Sequence, residues 1–158
     1  VQYNGVTPDQ LTIQTKPVDP IIESGAQKQQ MINIECVNDF DSVPLLTIQF
    51  LYSSVQQKIS CKLPLGVNKF LEATDMDSGT FFSRWKVLSA PDQESQKIVK
   101  AKVPMDGDVV KTRLIGFGTS LLEGIDPNPE NYVCAGVIHT RNQQIGTLMR
   151  IEPNKQAP

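Results

Sequence analysis

The feature that most constrains the fold is the alternation of apolar and polar residues in four short segments of the first 66 residues. The segments are residues 10–16, 30–37, 45–52 and 57–63, with turn-forming residues between them. A period of two places every second side chain on one face, as in a half-buried β-strand. The faces expected to point inward are Leu11, Ile13 and Thr15; Ile32, Ile34 and Cys36; Leu46, Ile48, Phe50 and Tyr52; and Ile59, Cys61 and Leu63. Four such strands predict an antiparallel β-sandwich.

The sandwich predicted from these four strands is incomplete. A sandwich of this class usually contains about seven strands, so four would leave part of a sheet uncovered. We therefore expect the other strands to precede Val1, in agreement with a sequence that does not begin with Met.

The pattern changes after Pro64-Leu65-Gly66, where helical spacing begins to mix with alternation. Ser78 is predicted to cap a helix that runs to about Leu88. Asp106-Gly107-Asp108 is predicted to cap a second helix, which ends at Gly116-Phe117-Gly118. Residues 67–75 are expected to be extended, and strands are predicted over 95–103, 119–124, 131–139 and 145–152. The sequence thus predicts a partial β-sandwich subdomain over residues 1–66 and a partial α+β subdomain over residues 67–158.

Charge and hydropathy argue against two classes of protein. The 158 residues include 15 Lys and Arg against 17 Asp and Glu, a formal charge of −2, without the basic excess of a nucleic-acid-binding domain. No apolar run approaches the roughly 18–20 residues of a membrane-spanning helix, and the first residues do not resemble a signal peptide. We therefore expect a cytosolic protein that neither binds nucleic acid nor spans a membrane.

The three cysteines, Cys36, Cys61 and Cys134, are widely spaced and lie in apolar segments. No Cys-x-x-Cys pair occurs and His139 is the single histidine, so a zinc site of the usual ligand spacing is not expected. We expect three buried free thiols in a reducing compartment, and neither a metal nor another cofactor.

Signals for catalysis are weak. Gly116-Phe117-Gly118 lacks the lysine and the glycine spacing of a phosphate-binding loop. His139 has no evident nucleophile beside it, because Cys134 is five residues away and would lie on the opposite face of the same strand. Asp106 and Asp108 lie at a predicted helix start, where acidic groups are stabilising in any case. We therefore expect no enzymatic activity.

The aromatic residues of the first predicted helix are the most informative local feature. Only 6% of the residues are aromatic, yet Phe81, Phe82 and Trp85 fall on one short helix. Phe81, Trp85 and Leu88 form one apolar stripe, and Phe82 widens it. One interpretation is a wide buried face, with the chain a purely structural domain or an unrecognised enzyme. The other is that Phe82 and Trp85 border an exposed apolar pocket of the kind that binds peptides.

Five stretches of the sequence resemble the C-terminal appendage, or ear, of the α-adaptin family, large subunits of the plasma-membrane clathrin adaptor. The resemblance runs in the same order from Leu11 to the end of the chain. The stretches are Leu11-Thr12-Ile13-Gln14-Thr15-Lys16-Pro17-Val18-Asp19-Pro20, Phe81-Phe82-Ser83-Arg84-Trp85-Lys86, Ile115-Gly116-Phe117-Gly118, Asp126-Pro127-Asn128-Pro129 and Arg150-Ile151-Glu152-Pro153-Asn154.

This resemblance implies an immunoglobulin-like β-sandwich, incomplete at its N-terminus, followed by an α+β platform subdomain, incomplete at its C-terminus. It also implies a protein-interaction module that recruits endocytic accessory proteins (epsin-, amphiphysin- and auxilin-like) through Asp-Pro-Phe, Asp-Pro-Trp and Phe-x-Asp-x-Phe motifs. Other adaptor subunits would be reached through an N-terminal trunk outside this chain. The expected location is the cytosolic face of the plasma membrane, in clathrin-coated pits.

Residue by residue, the resemblance places a platform peptide site at Phe82, Trp85, Glu94, Arg150 and Glu152. The aromatic pair would receive a ligand ring, Arg150 would meet the aspartate of the motif, and Glu152 would orient Arg150 or accept ligand N–H groups. A second family site, on the sandwich, binds Trp-x-x-Phe-type peptides, and of that site only Gln27 has a counterpart here.

Overall fold

The computed structural model describes residues 2–88, 90–102 and 105–153. Most of the regular structure is antiparallel β-sheet. The strands are β1 (Gln2–Asn4), β2 (Leu11–Thr15), β3 (Ile32–Cys36), β4 (Leu45–Tyr52), β5 (Val55–Lys62), β6 (Leu71–Ala73), β7 (Ser120–Leu121), β8 (Tyr132–His139) and β9 (Gln144–Ile151). The α-helices are α1 (Ser78–Val87) and α2 (Gly107–Gly116), and a 3-10 turn spans Val67–Phe70.

The described residues form two compact units. Unit 1 runs up to Phe70 and includes His139–Gln143, whereas unit 2 runs from Leu71 to Ile138 and continues from Gln144. Unit 1 contains a three-stranded sheet ordered β1-β4-β5 and the antiparallel pair β2-β3. Unit 2 contains a sheet in which β8 pairs with β6, β7 and β9, together with both α-helices of the described residues. This mixed architecture confirms the predicted fold class, a β-sandwich with an α+β platform.

The positions of β2, β3, β4 and β5 in unit 1 agree with the four predicted segments. All four predicted segments are strands, and β4 has the predicted bounds. Ser53 and Ser54 join β4 to β5 with φ values of 50° and 64°. Two consecutive positive φ angles suit the right-handed twist of a two-residue hairpin, which explains the tight turn. The apolar core of this unit is Leu11, Cys36 and Phe40, with Phe40 edge-on to Phe70 at 6.1 Å.

The burial predicted for β5 and for Cys61 is wrong. Every residue of β5 is exposed, and Cys61 is an exposed free thiol, whereas Cys36 and Cys134 are buried as expected. Tyr52, at the end of β4, is also 71% exposed. Alternation predicts which side chains share a face, but it cannot show that a second layer covers that face. In the described part of the chain nothing covers β5.

Two strands predicted for unit 2 differ from the structure. Residues 95–102 are irregular, although a strand was predicted over 95–103, and Val103 lies outside the described residues. Ile98 and Val99 are both largely exposed there, so β-forming residues did not suffice without a neighbouring strand to pair with. The strand predicted over 119–124 is reduced to β7, whose two residues pair with Cys134 and Ala135 of β8.

Helix α1 begins one residue earlier than the prediction that Ser78 is its cap. Asp77 is the N-cap, and its carboxylate accepts hydrogen bonds from the Thr80 N–H at 2.8 Å and the Thr80 hydroxyl at 2.9 Å. Ser78 instead donates its hydroxyl to the carbonyl of Ile125 at 3.0 Å, which ties the helix to the loop between β7 and β8. The second helix is capped by Asp106, within the predicted cap.

We predict that Asp77→Ala lowers the free energy of unfolding of unit 2 by about 1 kcal/mol, because a helix N–H group loses its partner. Asp77→Asn keeps the side-chain acceptor and is the matched control, with an expected loss of a few tenths of a kcal/mol. Urea denaturation followed by circular dichroism at the helix band would measure both. Equal losses for the two variants would contradict the capping role.

Candidate functional site

The three aromatic residues of α1 divide into one core residue and two residues at the border of the core. Phe81 is fully buried, whereas Phe82 and Trp85 are half-buried. The Phe81 ring stacks on Trp85 at 5.6 Å and meets Phe82 edge-on at 5.2 Å. Both Phe82 and Trp85 therefore rest on a fixed ring and keep part of their own surface in contact with solvent.

The core beneath these rings is built from the sheet of unit 2. Phe81 packs with Leu122, Val133 and Ala135, and the partly buried Met76, Phe82, Trp85, Ile125 and Leu148 surround them. The capped start of α1 and its bond to the Ile125 carbonyl fix the helix on the sheet. A binding residue held on a helix in this way is positioned more accurately than one on a loop.

Arg150 extends from the same side of the sheet as α1. Leu148 contacts the core under α1, and Arg150, two residues further along β9, lies on the same strand face. Its Nε donates to Asp126 Oδ2 at 2.6 Å and its Nη2 to Asp126 Oδ1 at 3.3 Å. Nη1 donates to Glu152 Oε1 at 2.7 Å. Arg150 and Glu152, predicted from sequence as neighbours, are thus in direct contact, with about 30% of each side chain exposed.

Asp126 is the member of this cluster that sequence reasoning missed. Its side chain is only 3% exposed, and besides Arg150 it accepts hydrogen bonds from the Asn128 backbone N–H at 2.9 Å and from Asn131 Nδ2 at 3.1 Å. The signal that could have led to it is Asp126-Pro127-Asn128-Pro129, which has the composition of a rigid turn. The side chain of an aspartate at the start of a turn often accepts a hydrogen bond from the backbone N–H two residues later. The pairing with Arg150, however, cannot be inferred from the local sequence.

Pairing lowers the pKa of the Asp126 carboxyl from its ordinary 3.8. The main cause is the hydrogen bond from Arg150, and the bonds from Asn128 and Asn131 act in the same direction against the opposing effect of burial. A carboxylate whose pKa is lowered by folding stabilises the protein above its unfolded pKa, and that contribution is lost as the pH falls through the folded pKa.

Accordingly, acid is expected to destabilise unit 2 below about pH 4, and Asp126→Asn is expected to remove part of this dependence. Urea midpoints measured between pH 6 and pH 2.5 from the fluorescence of Trp85 would give the slope of stability against pH for the parent chain and for Asp126→Asn. Identical slopes for the parent and the variant would show that the Asp126 carboxylate contributes nothing to acid stability.

The other two residues of the predicted sites are Glu94 and Gln27. Glu94 is in the turn after α1, where its backbone N–H donates to the Ala90 carbonyl and its carboxylate accepts from Gln96 at 2.5 Å. Gln27 is an exposed residue of the long connection between β2 and β3 in unit 1. The structure therefore brings together Phe82 with Trp85, through Phe81, and Arg150 with Glu152, whereas the described contacts do not link Glu94 to either pair.

A separate groove of about 410 Å³ lies beside α1. Ser83, Arg84, Val87 and Leu88 line it from the helix, and Leu148 is among the sheet residues opposite. Phe82 and Trp85 do not line this groove, so it is a different surface from the aromatic pair.

The family of the chain follows from comparison with known proteins. A family model described as alpha adaptin AP2, C-terminal domain, matches residues 69–158, which is more than half of the chain. The chain belongs to this alpha-adaptin family. The matched range contains α1, Asp126, β9 and all the residues of the predicted platform site, whereas Gln27 lies outside it.

Relatives of this alpha-adaptin domain occur in distant organisms. The AP-2 complex subunit alpha-2 of Dictyostelium discoideum is 36% identical over 93% of the chain and 15% of its own length. The AP-2 complex subunit alpha-1 of Arabidopsis thaliana is 26% identical over 96% of the chain and 15% of its own length. The AP-2 complex subunit alpha of Schizosaccharomyces pombe is 29% identical over 86% of the chain and 16% of its own length. The chain thus spans about one seventh of the length of the curated relatives it matches.

Neither α-helix in the described residues has the length and apolar character that crossing a membrane requires.

Proposed function

We propose that unit 2 is a non-catalytic peptide-recruitment platform for Asp-Pro-Phe, Asp-Pro-Trp and Phe-x-Asp-x-Phe motifs. The observation that carries the proposal is the half-buried pair Phe82 and Trp85, stacked on the buried Phe81 in a chain of the alpha-adaptin family. Rigid aromatic side chains that keep part of their surface exposed are typical anchors of small binding sites.

Each residue of the platform would have a defined role. A ligand phenylalanine or tryptophan ring would pack against Trp85 and Phe82, burying apolar surface worth about 1.5–3 kcal/mol. Arg150 would donate to the aspartate of the motif in a charge-assisted hydrogen bond. Glu152 would orient Arg150 or accept ligand N–H groups, and Glu94 would supply a flanking acidic group.

The names of the relatives assign those proteins to AP-2 complexes, which supports a biological setting for this domain. We propose that this domain serves an AP-2 clathrin adaptor at the cytosolic face of the plasma membrane, in clathrin-coated pits, during endocytosis. Its partners would be epsin-, amphiphysin- and auxilin-like accessory proteins, and the other adaptor subunits would be reached through the rest of the alpha subunit. Gln27 would contribute to a second site for Trp-x-x-Phe motifs in unit 1.

Binding of a fluorescently labelled Phe-x-Asp-x-Phe peptide to the chain tests the platform directly. A small site of this kind predicts a Kd between micromolar and millimolar, or about −8 to −4 kcal/mol. A peptide of the same composition with its two phenylalanines replaced by alanine is the matched control and should not bind. Equal binding of the two peptides, or no binding of either at millimolar concentration, would contradict the proposal.

A further inference from the structure

The guanidinium of Arg150 is already bonded on one side before any ligand arrives. An arginine has five N–H donors, and three of them bond to Asp126 and Glu152 in the described contacts. Asp126 accepts hydrogen bonds from both Nε and Nη2. This bidentate geometry fixes the orientation of the guanidinium plane. Among the described residues, one N–H of Nη1 and one of Nη2 remain without a contact that would keep a ligand from them.

The two acidic partners of Arg150 differ in exposure. The Asp126 side chain is 3% exposed and is itself fixed by Asn128 and Asn131, whereas the Glu152 side chain is 28% exposed. A ligand can approach Glu152 but not the edge held by Asp126. Asp126 is therefore the permanent partner, and its contacts determine where the remaining donors of Arg150 point.

Net charge alone does not make this cluster attractive to an acidic peptide. One arginine between two carboxylates carries a net charge of −1 when all three groups are ionised. Recognition of an aspartate by Arg150 therefore depends on the direction of its N–H groups more than on long-range attraction.

We infer that Asp126 is a positioning residue of the platform, which aims the free end of Arg150 at the aspartate of a bound motif. This inference rests on the proposed function and adds a residue that sets the specificity of its site. It predicts that the preference for aspartate over asparagine in the ligand depends on Asp126, although Asp126 does not touch the ligand.

The test compares a Phe-x-Asp-x-Phe peptide with its Phe-x-Asn-x-Phe counterpart on the parent chain and on Asp126→Asn. In the parent we expect the aspartate peptide to bind roughly tenfold tighter, as for one charge-assisted hydrogen bond. In Asp126→Asn this preference should fall to about threefold or less, because an amide N–H group would oppose the Nε donor of Arg150. If Asp126 acted only as a repelling charge, its removal would increase the preference, and that result would overturn the inference.

Two variants serve as controls. Arg150→Lys keeps the positive charge but loses the bidentate contact with Asp126. Its preference for the aspartate peptide should therefore fall as much as in Asp126→Asn, and the double variant should show no further fall in that preference. Glu123→Gln removes a carboxylate from the exposed pair that Glu123 forms with Lys111 in the same unit, and should leave the preference unchanged. If the two substitutions reduced the preference additively in the double variant, Asp126 and Arg150 would not act together, and the inference would be contradicted.

A measurement on the parent chain covers the case in which Asp126→Asn does not fold. The Nε–H resonance of Arg150 should exchange with solvent at least tenfold more slowly than that of the exposed Arg84, since Asp126 holds it. Equal exchange rates would overturn the positioning role. If the parent binds neither peptide, the proposed function fails and this inference fails with it; if it binds with the expected preference and Asp126→Asn keeps that preference, only the inference fails.

Discussion

Replacing Phe81 with alanine is expected to lower the free energy of unfolding of unit 2 by about 3–5 kcal/mol. Phe81 is the fully buried centre of the core under α1, and it contacts Leu122, Val133 and both neighbouring aromatic rings. Removal of its ring would leave a cavity that the sheet cannot close. Because domains are stable by only about 5–15 kcal/mol, this loss would be a large share of the stability of unit 2.

Val87→Ala is the matched control for this prediction. Val87 is on the same helix but is 76% exposed, so its substitution should change the stability by no more than about 0.5 kcal/mol. Urea denaturation followed at the helix band of the circular dichroism spectrum would measure both variants. A loss below 1 kcal/mol for Phe81→Ala would show that the core is not organised around this ring.

Replacing Trp85 with alanine is expected to weaken binding of a Phe-x-Asp-x-Phe peptide by about 2 kcal/mol or more, roughly thirtyfold in Kd. The reason is that Trp85 offers the largest partly exposed ring of α1 and is held in place by stacking on Phe81. Its loss removes the surface on which a ligand ring would pack. Fluorescence anisotropy of the labelled peptide would measure the change.

Two controls separate binding from folding in this experiment. Trp85→Phe keeps an aromatic ring on Phe81 and should lose less affinity than Trp85→Ala. Phe117→Ala removes an aromatic residue that is 53% exposed at the end of α2, outside the proposed site, and should bind like the parent. Binding by a folded Trp85→Ala variant within threefold of the parent would exclude Trp85 as the anchor.

Most of the secondary structure could be predicted because it is encoded locally. Alternation predicted β2, β3, β4 and β5 of unit 1, although not the three-residue β1. The exposure of β5 could not be predicted, because alternation is a property of one strand whereas burial depends on a second layer. The irregular residues 95–102 show the same limit, since a strand needs a partner that its own sequence does not specify.

Part of the candidate site could likewise be predicted from neighbouring residues in the sequence, whereas the rest depends on contacts between distant residues. The spacing of Phe81, Phe82 and Trp85 placed them on one helix, but only the packing shows that Phe81 is core and the other two border it. Arg150 and Glu152 are two residues apart, so their contact could be inferred from the strand period. The pairing of Arg150 with Asp126 spans 24 positions of sequence and follows from the tertiary fold alone.

The measurement that tests the central claim most directly is a two-dimensional ¹⁵N–¹H NMR titration of the parent chain with the Phe-x-Asp-x-Phe peptide. The sequence contains one tryptophan, so the indole N–H resonance of Trp85 is unique. The peptide should shift this resonance together with the amides around Phe82 and Arg150, and leave those of β4 and β5 in place. Shifts confined to unit 1, or an unchanged indole resonance at millimolar peptide, would contradict the account of a peptide platform on α1 and β9.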